Sequence, residues 1–398
     1  MSVDVAVRSD RRWQIATFAG FMSIGVVVSS WVARTPAIRS ALEVSTAGMG
    51  IVILCVAVGS MAGLFVAGRA VSRLGGRVSV AGSAVAMCAG TTLLGLGAAA
   101  SSVPLAAGGL ALIGAGSGIG EVALNVEGSA LEVRRNRSFL PLLHGAFSLG
   151  TLLGAGFGAL AEFLGVSLVI HLGVVAGVVA GCGVGVVRFL PPHTGTVEDQ
   201  PGESAGRGVT VWRNPQILLI GLVALGMAFA EGTANDWLPL SVVDGYSLSP
   251  AAASTCYIVF VASMTVTRLL GGRLVDRFGR VTCIRTSAVI AMIGVLVVVL
   301  SSGLPTVALV AGCVLWGVGV ALGFPLAISA ASSMEGAAAK QVGAVSTLGY
   351  TAFLVGPPFL GFLGEHFGLL NSFYAVLGAA GLAVLASGAA ASTPRGSR

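Results

Sequence analysis

Charge is what this sequence has least of. Only 10% of its 398 residues are Asp, Glu, Lys or Arg, against 55% hydrophobic residues, and the mean hydropathy is +0.95. Such a composition excludes an ordinary water-soluble globule. Lysine is nearly missing, with one residue, Lys340, against 21 Arg; this bias, with abundant Gly, Ala and Val, suggests a GC-rich bacterial source. The six cysteines, Cys55, Cys88, Cys182, Cys256, Cys283 and Cys313, form no close pair in the sequence. They read as packing residues, which excludes a disulfide framework or a cysteine metal site. No Walker phosphate loop, zinc-ligand spacing or nucleophile elbow is present, and Gly114-x-Gly116-x-x-Ile119 is not the dinucleotide fingerprint. The chain is therefore expected to hold no metal and no cofactor and not to be an enzyme.

What the sequence does have is long uncharged runs. A helix needs about 20 apolar residues to cross the ~30 Å hydrocarbon layer, and runs near or above that length lie at 14–33, 44–68, 78–120, 138–161, 163–187, 214–230, 245–267, 286–334, 341–364 and 366–394. The third and eighth are long enough for two crossings. Each carries a turn signal near its middle, Ser101-Ser102-Val103-Pro104 and Ser301-Ser302-Gly303-Leu304-Pro305. Twelve transmembrane helices follow, the first retained as a helix rather than removed as a signal peptide.

The basic residues fix the orientation. Lys and Arg stay on the cytoplasmic side, and all but Arg34 and Arg39 fall in the termini or in alternate loops. Both termini are thus expected on the cytoplasmic side of the cytoplasmic (inner) membrane of a bacterium. The net charge of +6 is explained by topology, so nucleic acid is not an expected partner; the lipid bilayer is.

A short basic signature occurs twice, as GRAVSRLGGR from Gly68 to Arg77 and as GRLVDRFGRV from Gly272 to Val281. The copies begin 204 residues apart. Gly114, Gly116 and Gly120 of the fourth crossing recur as Gly317, Gly319 and Gly323 of the tenth, and the Glu162 to Gly165 stretch recurs at Glu365 to Gly368, each shifted by 203. Between the repeats lies a Pro-rich polar stretch. The expected organisation is a six-helix bundle over 1–189, a cytoplasmic linker over 190–211 and a second six-helix bundle over 212–398.

This all-α plan, with a basic turn between the second and third helix of each pseudo-symmetric half, resembles the major facilitator superfamily of secondary transporters. The family signature is matched in the second copy by Gly272, Asp276, Arg277, Gly279 and Arg280. The first copy keeps Gly68, Arg73, Gly75 and Arg77 but places Ser72 where the family has an acid. Any latch built on that acid is then asymmetric. The fourth crossing, GAGSGIGEVALNVEG, and the Leu143 to Gly150 stretch with His144 resemble the branch that holds fucose permease and the rhizopine-type permeases. In fucose permease the acid of the Glu-x-x-x-Asn pattern is a protonation site, which the resemblance carries to Glu121. That permease also has an acid in its first helix, where this sequence has Arg34 instead.

Ionisable groups inside a bilayer cost about 2.5–3.5 kcal/mol each on insertion scales and usually line a pathway. Glu121 is the expected proton-coupling residue, with Asn125 one turn away on the same face; Glu127 faces elsewhere and is expected to be interfacial. Asn125, His144, Glu231, Asn235, Trp31 and Trp316 are candidates for a solute cavity, the tryptophans as stacking platforms beside Trp237. The repeat offset sets Arg34 of the first crossing opposite Asp236 of the seventh, a candidate outer gate. The expected function is symport of a small polar, sugar-like solute with a proton by alternating access, by a monomer. Proton-driven efflux is the first alternative, and a non-transporting membrane sensor on the same fold is the second.

Overall fold

A computed structural model describes residues 3–135, 140–196, 211–334 and 338–391. Among these residues every regular element is helical. The chain divides into two compact units, with the divide between Pro201 and Gly202.

Unit 1 runs α1 (Val3–Val32), α2 (Thr35–Leu42), α3 (Thr46–Ala99), α4 (Val103–Arg135), α5 (Leu140–Phe163) and α6 (Leu168–Phe189). At 54 residues, α3 would be ~80 Å long if straight, more than two bilayer cores. It is not straight: Gly75 interrupts it with φ 82 and ψ 164. Only a residue without Cβ adopts that conformation readily, so one glycine turns a single hydrogen-bonded run into two crossings. Eleven helices among the described residues are long and apolar enough to span a membrane; the bend in α3 brings the crossings to twelve.

Unit 2 repeats the plan with α7 (Pro215–Tyr246), α8 (Pro250–Phe278), α9 (Arg280–Leu300), α10 (Thr306–Val320), α11 (Gly323–Ser332), α12 (Ala338–Phe367), α13 (Leu369–Ser372) and α14 (Tyr374–Ala386). The bend of α3 reappears here as the break between α8 and α9, where Gly279 has φ 78 and ψ 158. The α3 and α8 helices are begun alike: Ser45 accepts a hydrogen bond from Gly48 N, and Ser249 from Ala252 N. These are N-caps that satisfy an otherwise orphaned amide.

Packing follows the repeat. The α1 helix lies on α5, α6 and α4, while α3 grips α4 and α6; in unit 2, α7 lies on α12, α14, α11 and α8. The repeated glycines bring the helices close together. A Cβ on Gly114 would sit 2.0 Å from Val56 O, and one on Gly317 would sit 2.3 Å from Phe260 O, so neither position admits even alanine without parting the helices. Large apolar side chains also point outward, Phe65 at 75%, Leu269 at 70% and Leu385 at 82% exposed. Lipid, not water, is the solvent that accepts them.

Two expectations about individual elements are corrected. Arg34 does not lie in the first crossing: α1 ends at Val32, and α2 opens at Thr35, directly after Arg34, with Pro36, suited to a helix start, in its first turn. The tenth crossing is not one helix, for it breaks at Ala321-Leu322 into α10 and α11.

Candidate functional site

In unit 1 the fourth crossing carries Glu121 and Asn125, both half-buried and one turn apart on α4. Among the described residues Glu121 has no hydrogen bond or ion pair. His144 lies on α5, but its side chain is outside the described residues.

Glu127, expected to be interfacial, is completely buried. The indole Nε1 of Trp13 on α1 donates to its Oε2 at 2.8 Å. It also lies against the first basic turn, since a Cβ on Gly76 would fall 2.2 Å from Glu127 Oε1. The chain that leaves α6 folds back over the same place, with Gly76 N donating to Thr194 O at 2.8 Å. Nearby, Arg134 Nε pairs with Asp10 Oδ1 at 2.9 Å, tying α4 to α1. Glu127 thus anchors one end of unit 1 rather than an open surface.

Arg34, the residue that precedes α2 beyond the other end of α1, is buried and paired within its own unit. Its Nε meets Glu162 Oε2 of α5 at 2.5 Å, and its Nη2 donates to Val166 O at 2.9 Å. The guanidinium therefore staples α1 to the turn between α5 and α6. In the sequence Glu162 stands out only as a landmark of the repeat.

Unit 2 holds a second polar cluster. Glu231 on α7 accepts hydrogen bonds at both carboxylate oxygens from Arg268 Nη2 on α8, each 2.8 Å. Arg268 Nε donates at 3.1 Å to Ala321 O, a carbonyl freed where α10 gives way to α11. One turn beyond Glu231, Asn235 Oδ1 accepts a hydrogen bond from Tyr257 Oη at 3.2 Å, and half-buried Asp236 is next in sequence. By charge pattern alone Arg268 belongs with the topological arginines, yet it reaches back along α8 to an acid inside the bundle.

The tryptophans do not offer faces to a solute. Trp316 is fully buried, donates Nε1 to Ala230 O at 3.1 Å and stands edge-on to Phe260 and Phe373. Trp31 and Trp237 are likewise fully buried.

The basic turns share backbone shape but differ in contacts. In the first, Ser72 Oγ donates to Arg69 O; Gly68 has open space around it, as has Gly272 in the second. In the second, Asp276, Arg273 and Arg277 are exposed, Arg277 lies over the Phe278 ring, and Arg280 donates to Ser329 Oγ of α11 and to Ser333 Oγ just past its end.

A model of the family described as Major Facilitator Superfamily matches residues 15–351. This chain belongs to the Major Facilitator Superfamily. It is a multi-pass membrane transporter and not an enzyme, in a family whose members carry small-molecule solutes. An uncharacterized transporter of Sinorhizobium fredii, y4wD, is 33% identical over 370 residues, covering 92% of this chain and 96% of its own. An uncharacterized MFS-type transporter of Yersinia pestis is 26% identical over 391 residues, 97% of each chain. Among solved structures the nucleoside transporter NupG superposes with a TM-score of 0.72 at 17% identity, covering 96% of this chain and 98% of its own. FucP in the outward conformation superposes with a TM-score of 0.65 at 16% identity, covering 96% and 99%. At these identities the structures establish the shared fold.

Proposed function

We propose that this transporter is a symporter that carries a small polar, sugar-like solute together with a proton across the cytoplasmic membrane of a bacterium, by alternating access, with Glu121 as the proton-coupling residue. The observation that carries this reading is Glu121 itself. It is an acid within the fourth crossing, half-buried, with no described cation to hold it ionised and with Asn125 one turn away as a solute-binding amide. An acid so placed binds a proton when the pathway is open to the more acidic side and loses it on the other, which is the behaviour a coupling site requires. A fold neighbour of this chain, FucP, is a fucose:proton symporter with a TM-score of 0.66 at 16% identity, so the same architecture supports this chemistry. Within unit 1, Asn125 on the same face of α4 is the polar candidate for solute contact beside Glu121; within unit 2, Glu231 and Asn235 of α7 are the polar candidates.

The test is flux in proteoliposomes with an imposed pH gradient, acid outside, across a panel of labelled monosaccharides, polyols and nucleosides. The wild type is expected to accumulate at least one solute against its gradient, and Glu121→Gln is expected to lose accumulation while keeping downhill exchange. Undiminished pH-driven accumulation in Glu121→Gln removes the residue from this role. Accumulation only when the gradient is reversed makes the protein an exporter.

A further inference from the structure

From the geometry around Arg268 we propose that unit 2 contains a binding site for the carboxylate of a ring-bearing solute, with Arg268 as its receptor and Glu231 as the internal carboxylate that the solute's displaces. This rests on the reading of the chain as a solute and proton symporter, and it names the class of solute.

Arginine in a bilayer is held where its charge is needed. Arg268 uses only part of its hydrogen-bonding capacity: Nη2 is given to Glu231 and Nε to Ala321 O. Its Nη1 has no hydrogen bond to a described residue and keeps accessible surface. The side chain as a whole keeps 25% of its surface exposed, and that of Glu231 keeps 13%. A purely structural brace would be expected to bury the guanidinium and satisfy all of its donors. Here one nitrogen is left open, and a planar guanidinium with a free edge is the side chain best suited to a carboxylate.

The surroundings fit a ring. Phe353 of α12 lies over Gly232, the residue after Glu231; a Cβ there would meet the ring at 3.0 Å. Tyr350 and Phe324 continue the half-buried row, with ring centroids 6.4 Å and 6.1 Å apart along it. We place the apolar face of the solute ring against this row, which meets α7 one residue along from Glu231.

Charge balance then requires a proton. With Arg268 cationic and Glu231 anionic the site is neutral, so an added carboxylate would leave one uncompensated negative charge in a low-dielectric interior. If a proton binds Glu231 as the solute's carboxylate takes its place on Arg268, the site is neutral before and after. One proton and one anion enter together, in addition to any proton at Glu121. The other titratable groups around Glu231 are Asp236 on its own helix and Tyr257 of α8, whose hydroxyl is bound to Asn235; Tyr350 of α12 lies farther along the aromatic row, beyond Phe353, and α10 contributes Trp316, bound to Ala230 O. Arg268 is the cation among them.

The experiment uses the purified full-length protein in detergent, with thermal unfolding read against titrations of glucuronate, galacturonate and quinate and of their neutral counterparts glucose, galactose and inositol. At least one carboxylate is expected to stabilise the protein where its counterpart does not, with affinity rising about tenfold per pH unit of acidification, the signature of one linked proton. Glu231→Gln is expected to bind the same acid with no pH dependence, and Arg268→Lys at least about tenfold more weakly than wild type, having lost the planar fork. Neutral compounds that bind as tightly as the acids, an acid affinity unchanged in Arg268→Lys, or pH dependence retained in Glu231→Gln would each overturn the proposal, as would no binding by any of the acids. Flux separates it from the symport reading. Gradient-driven uptake of neutral sugars without the acids leaves symport standing and removes the anion site; binding of an acid without gradient-driven flux does the reverse.

Discussion

A carboxylate with no exposed surface must find a donor inside the protein or weaken the fold. Glu127 finds it in Trp13, at 2.8 Å across 114 residues of sequence. Trp13→Phe keeps the ring and removes the N–H, so it is expected to cost about 1–3 kcal/mol and to lower the midpoint of thermal unfolding in detergent. In a Glu127→Gln background the same change should cost measurably less, and equal losses in both backgrounds would mean that the bond carries no stability. Arg34 and Arg268 follow the same physical rule as Glu127, each meeting an acid within its own unit. These pairings are not legible in the sequence, because hydrophobic runs reveal which residues are in the membrane but not which helix faces which. Glu231 and Asp236 are placed on the right helix for that reason, while the partner of Glu231, 37 residues away, reads in the sequence as a loop charge.

The repeated elements are far easier to read. Helix crossings depend on summed apolar length, and turn glycines depend on backbone sterics, both of which are local properties of sequence. Gly75 and Gly279 have nearly the same positive φ and extended ψ, a region essentially reserved for glycine, where other residues pay about 1–3 kcal/mol. Gly75→Ala and Gly279→Ala should therefore both destabilise. The first should do so more, since its new Cβ would also meet His193 Cα at 3.3 Å, while nothing lies within 4 Å of the second. Equal unfolding midpoints for the two variants would remove the docked segment after α6 as a contributor. The break at Ala321-Leu322 and the early end of α1 escape the pattern because neither changes the apolar length of its run.

At the scale of the molecule, the arginine distribution makes a claim about sidedness that labelling can check. Glu43 and Ser302 lie in turns expected outside the cell, and Asp276 lies in a basic turn expected inside; all three are exposed. With the six native cysteines replaced by serine, Glu43→Cys and Ser302→Cys should react with a membrane-impermeant maleimide in intact cells. Asp276→Cys should react only after the membrane is opened. The opposite pattern would invert the assigned orientation while leaving the fold intact.

Mechanically, the two counterpart crossings are different objects. The α4 helix, which carries Glu121, is continuous over 33 residues, a rod that transmits a push along its length. Its counterpart is a jointed lever, with α10 and α11 meeting at a carbonyl clasped by Arg268. The same guanidinium that pairs with Glu231 thus also clasps the joint, so the polar cluster of unit 2 and the break in its fourth crossing share one side chain.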